Sequence, residues 1–131
     1  MPYLLDSDWC IQALRRHAGA VNVIRQVRGG GIAVSWITIA EVYEGAFWSP
    51  NPQSLLMAFR HFFSPLKVFN LDDPIAERLA EIRANLRRRG ELIPDPDLFI
   101  AATALAYDLT LLTFNRSHFE RVPDLRLYQL R

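Results

Sequence analysis

The chain is poor in cysteine and in lysine. Cys10 stands alone among 131 residues, which excludes an internal disulfide framework and a cysteine-rich zinc site. Lys67 is the only lysine. Every other basic side chain is an arginine, whose planar fork suits phosphate oxygens, although skewed genomic base composition produces the same bias without a function. His17, His61 and His118 are scattered and form no close ligand pair. Neither sign of charge dominates: 15 Lys and Arg against 14 Asp and Glu give a net charge of +1, so no global field draws the chain toward nucleic acid or membrane. No apolar run approaches the ~18 residues of a membrane span. The start lacks the basic and apolar regions of a signal peptide, and the expectation is a soluble cytoplasmic protein. There is no internal repeat, low-complexity tract or linker.

What is present is enough apolar material for one core. Half the residues are hydrophobic, and residues 1–131 have a single-domain length. Tyr3-Leu4-Leu5, Ile32-Ala33-Val34, Leu66-Lys67-Val68-Phe69 and Thr110-Leu111-Leu112-Thr113 read as strands, with Leu125-Arg126-Leu127-Tyr128 as a fifth. Helical stretches separate them: Ile11–His17, Ala20–Val27, Thr38–Phe47, Leu55–Phe63, a segment opened by Asp73-Pro74 and stopped at Gly90, and an apolar one opened by Asp95-Pro96. Strands alternating with helices predict an α/β domain in three layers, with a mostly parallel sheet of four or five strands covered on both faces.

Four acids stand at the edges of these segments. Asp6 closes the first strand beside Asp8, Glu41 follows a long apolar run, and Asp95 and Asp97 open the last helix. Ligands bind beyond the carboxyl ends of strands in such sheets, where Asn115 also falls. Converged carboxylates repel unless protonated or sharing a cation, so a divalent-metal site is the first hypothesis. Each acid also has a plainer reading. Glu41 completes a capping box with Thr38, Asp95 suits an N-cap, and Asp97 is a favourable first-turn charge. Asp6 is hardest to dismiss, since no nearby basic residue pairs with it. Arg87-Arg88-Arg89 suits a helix C-terminus, with a phosphate patch as its functional reading. His118 and Phe119 read as loop anchors after the fourth strand.

These blocks resemble the PIN-domain ribonucleases. Leu4-Leu5-Asp6-Ser7-Asp8 looks like their opening motif, Ser35 to Ala46 their second, Asp97 to Ala104 their third, and Leu112 to Phe119 their fourth. The likeness spans about Tyr3 to Tyr128 and is nearest to the VapC-type toxins of toxin–antitoxin pairs. It implies a PIN-like fold and an endoribonuclease dependent on Mg2+, with Mn2+ as an alternative. Asp6, Glu41, Asp97 and Asn115 become the catalytic set, and Asp6, Asp97 and Glu41 the metal ligands. Implied partners are RNA, a cognate antitoxin and a second copy of the chain, with Trp9 and Trp48 contributing to an antitoxin groove. Two positions depart from the family pattern. Asp8 replaces the usual asparagine, and Asn115 stands where many members carry a fourth acid, which favours one metal over two. Two other readings compete: a haloacid-dehalogenase-type phosphatase with Asp6 as nucleophile and Lys67 on phosphate, and a non-catalytic PIN-like domain that binds RNA or protein.

Overall fold

Four short apolar runs become strands: β1 (Tyr3–Leu5), β2 (Ile32–Ser35), β3 (Lys67–Phe69) and β4 (Thr110–Leu112). The computed structural model describes residues 2–129. The strands lie in the order β3-β2-β1-β4, and every pair is parallel. Parallel neighbours require crossovers, and each crossover here contains two α-helices. α1 (Ser7–Leu14) and α2 (Ala18–Val27) join β1 to β2, α3 (Trp36–Phe47) and α4 (Pro52–Phe63) join β2 to β3, and α5 (Asp73–Arg88) and α6 (Asp95–Ala106) join β3 to β4. A single turn of helix, α7 (Arg116–Phe119), follows β4.

Successive strand residues point to opposite faces, so adjacent leucines serve two cores. Leu4, Ala33 and Leu111 pack with Ile82 and Leu86 of α5 and Leu98 and Ala101 of α6. Leu5, Val34 and Leu112 pack on the other face with Trp9, Val23, Val42 and Phe59 from the first four helices. The expected three-layer α/β/α architecture follows directly. α5 ends as its sequence predicts: Gly90 takes a left-handed conformation (φ 67°), and Glu91 N–H closes the turn on Leu86 O at 2.9 Å.

Several boundaries differ from the sequence reading. α1 begins at Ser7, four residues before Ile11, because Asp6 caps it. This earlier start turns Trp9 and Cys10 inward, so Trp9 is buried against Phe114 rather than exposed in a groove. α3 begins at Trp36 with Ser35 as its cap, so the Thr38–Glu41 capping box does not form and Glu41 lies in the second turn. The cap of α5 is Asp72, whose carboxylate accepts from Ile75 N–H at 3.0 Å, rather than Asp73. The sheet has four strands: the Leu125–Tyr128 segment meets β4 at one residue, Leu127 against Leu111. Among the described residues, no helix is long and apolar enough to cross a membrane.

Candidate active site

The sheet order contains one reversal. β2 and β3 are added on one side of β1, and β4 on the other. In open α/β sheets such a switch point leaves a crevice at the carboxyl ends of the two diverging strands. Asp6 follows β1 there, and Thr113 follows β4. Asp6 N–H donates to Leu112 O at 3.0 Å, the last rung between the two strands.

Asp6 is 4% exposed. One of its oxygens accepts from Ser7 N–H at 2.8 Å, and the other from the Thr113 hydroxyl at 2.7 Å. That hydroxyl accepts in turn from Asn115 N–H at 3.0 Å. No lysine or arginine reaches Asp6 among the described residues. Burial is the main force raising its pKa, and the Asp8 carboxylate the second; Asp97 adds a smaller push, and the bonds from Thr113 and Ser7 oppose the rise. The result is a pKa of about 7.

Asp8 sits in the first turn of α1, with one oxygen accepting from Phe114 N–H at 3.2 Å. Its other oxygen is buried without a partner, as is one oxygen of Glu41. Burial raises the pKa of both groups, and Asp97 contributes a further upward push to each. For Asp8 the N–H groups of Phe114 and Trp9 oppose the shift, and for Glu41 the Ser7 hydroxyl does. Asp97, in the first turn of α6, places one oxygen 2.7 Å from His118 Nδ1. The Asn115 amide lies 2.9 Å from the same nitrogen.

Four acids from three helices and a strand end therefore come within electrostatic reach of one another: Asp6, Asp8, Glu41 and Asp97. Asn115 joins through His118. Among the described residues, no three His, Cys, Asp or Glu side chains close tightly enough to hold one ion as they stand. The arrangement is an open ring of oxygen donors, two of them buried and unbonded.

Asp95 stays outside the ring. α6 begins at Asp95 itself, with Pro94 in the cap position and no side-chain cap, so the expected capping role fails on geometry. Its carboxylate lies 3.6 Å from Arg83 Nη2 on the surface. Arg87 and Arg88 line a groove on α5 of about 600 Å³ with Leu79 and Ala80. Lys67 opens β3 and lies over the Phe69 ring, at the amino end of the strands. The phosphatase reading thus loses its only lysine to the wrong end of the sheet. His118, expected to be a loop anchor, is instead a partner of Asp97. The signal was its spacing, one helical turn after Asn115, which puts both on one side of α7.

The PIN domain family model matches residues 3–125. Ribonuclease VapC2 of Haemophilus influenzae is 32% identical over 126 residues, covering 96% of both chains. The chain belongs to the VapC branch of the PIN domain family. A second relative of this PIN domain, the tRNA(fMet)-specific endonuclease VapC of Shigella flexneri, is 30% identical over 126 residues, again covering 96% of each chain. Its fold is also similar to the VapBC2 structure from Rickettsia felis bound to a promoter DNA fragment. The TM-score is 0.92 at 28% identity, with both chains covered in full.

Proposed function

We propose that this PIN domain is a metal-dependent endoribonuclease, the toxin of a toxin–antitoxin pair, whose centre is the ring of Asp6, Glu41, Asp97 and Asn115. One observation carries the reading. Buried acids without cationic partners crowd the switch point of the sheet, and two of their oxygens have no hydrogen bond. An uncompensated buried oxygen costs on the order of 1–3 kcal/mol, so these groups are held for a ligand rather than for the fold. The donors are hard oxygens, which fits Mg2+ or Mn2+.

Asp6 and Asp97 are the principal ligands in this reading, and Glu41 binds directly or through water. When bound, the metal lowers the pKa of a water and stabilises charge on the scissile phosphate. Glu41, with its raised proton affinity and free oxygen, is placed to orient that water and take its proton. Ser7 and Thr113 lock both oxygens of Asp6, fixing the angle at which it meets the ion. Asn115 contributes hydrogen bonds and no charge, consistent with one metal in the free protein. Cleavage by activated water leaves a 5′ phosphate and a 3′ hydroxyl.

RNA cleavage in the cytoplasm requires restraint, and the solved relatives that are VapBC complexes support a cognate antitoxin. Trp48, Phe47 and Met57 are exposed on α3 and α4 and supply an apolar surface for an antitoxin helix. A basic antitoxin side chain entering the acid ring would take the place of the metal. A homodimer is expected from the same branch. Transfer RNA is the first substrate to try, given the name of the Shigella flexneri relative.

The test is cleavage of purified RNA pools with Mg2+, with Mg2+ plus EDTA, and with Asp6→Asn. Cleavage in the first alone supports the assignment. Full activity of Asp6→Asn, or activity in EDTA, refutes it. A chain that binds RNA without cutting under any metal would favour the non-catalytic reading.

A further inference from the structure

Asp97, like Asp6, has a side-chain partner that belongs to a separate element. His118 Nδ1 lies 2.7 Å from Asp97 Oδ2, a contact spanning 21 residues of sequence. A carboxylate offers only acceptors, so the proton of this bond sits on Nδ1. The turn that carries the imidazole is itself anchored. The Ser117 hydroxyl donates to Asn115 Oδ1 at 3.3 Å across the first turn of α7. The residue after His118, Phe119, is fully buried and pins α7 to the α5–α6 core. Arg116 ties the start of α7 to Tyr128 O at 3.2 Å.

From this geometry we infer that His118 is a positioning residue that fixes Asp97 for the metal through its Nδ1–H. The inference rests on the proposed metal site and deepens it. One oxygen of Asp97 is committed to the imidazole, which orients the carboxylate and leaves its other oxygen for the ion. Asp6 is locked by Ser7 and Thr113 in the same manner, so each principal ligand has its own support. The support for Asp97 comes from the loop after β4, the element that also carries Asn115. α7 thereby couples the β4 side of the switch point to the ligand on α6.

Asparagine carries its amide nitrogen at the branch position that Nδ1 occupies in histidine, whereas leucine carries no donor there. His118→Asn and His118→Leu therefore separate the bond from the bulk of the side chain. Mn2+ affinity, read by electron paramagnetic resonance without RNA, should fall about tenfold in His118→Leu and stay within about threefold of wild type in His118→Asn. RNA cleavage should follow the same order, with kcat falling and KM for RNA little changed. Wild-type affinity in His118→Leu would overturn the inference. Equal losses in both variants would overturn it too, since bulk rather than the donor would then matter. Thermal melting of each variant checks that the fold persists. A wild-type chain that binds no Mn2+ refutes the metal site itself, and that outcome is visible before any His118 variant is read.

Discussion

The two ends of this small sheet treat charge in opposite ways. At the amino ends of the strands, Tyr3 N–H meets Gly31 O at 2.9 Å and Thr110 N–H meets Pro2 O at 3.1 Å. The nearby charges there are exposed: Arg126 pairs with Asp108, and Lys67 lies over the Phe69 ring. At the carboxyl ends, Asp6, Asp8 and Glu41 are drawn inward without any basic partner, and their affinity for protons rises. In the proposed function, the carboxyl end gives up stability for chemistry that the amino end does not carry.

Asp97→Asn should disturb this contrast most. Neutralising one acid of the ring should lower RNA cleavage on the order of 10³-fold while the melting temperature holds or rises; retained turnover would place the chemistry elsewhere. EDTA should have an effect of similar size on the wild type, reversed by added Mg2+ or Mn2+.

A smaller effect concerns stability and pH without metal. Asp6 binds its proton more tightly folded than unfolded, so its favourable contribution is complete below about pH 4 and disappears as pH rises through about 7. Asp6→Asn should remove this dependence, gaining on the order of 2–4 kcal/mol at pH 8 and little at pH 4. Denaturant unfolding at the two pH values reads the difference, and an equal gain at both would show that burial, not charge, sets it. Mg2+ should reverse the trend in the wild type, since a cation favours the ionised form.

Much of this contrast was legible from sequence, and the failures have local causes. The strands were visible as apolar runs, and the acids as their terminations. The helix starts moved because Asp6 and Ser35 cap helices that begin at the very next residue; a residue ending a strand and capping a helix at once carries no separate signal. That shift accounts for Trp9, which a later helix start would have left outside. Asp95 misled because Asp-Pro resembles a cap followed by a first helical position, yet Pro94 takes the cap. The fifth strand shrinks to a single bridge, Leu127 opposite Leu111, with Arg126 O and Tyr128 N–H both bonded to Leu111. The Asp97–His118 contact depends on how α6 and α7 pack, which residue spacing cannot set.

Two surface positions outside the ring should matter least. Asp72→Ala should cost about 1 kcal/mol through loss of the α5 cap, seen as a lower denaturation midpoint with RNA cleavage intact. Asp95→Ala, which removes only an exposed pair with Arg83, should change stability by less than about 0.5 kcal/mol and leave metal binding unchanged. If Asp95→Ala instead abolishes metal binding, the ring is wider than drawn.

The double duty of Asp6 has a practical consequence for handling a chain that destroys RNA. Asparagine caps helices as well as aspartate does, and at position 6 it can still accept from Ser7 N–H while dropping the charge. Asp6→Asn should therefore silence the protein without unfastening α1, whereas alanine should do both. Such a chain can be produced in quantity by living cells and used as bait for uncut RNA.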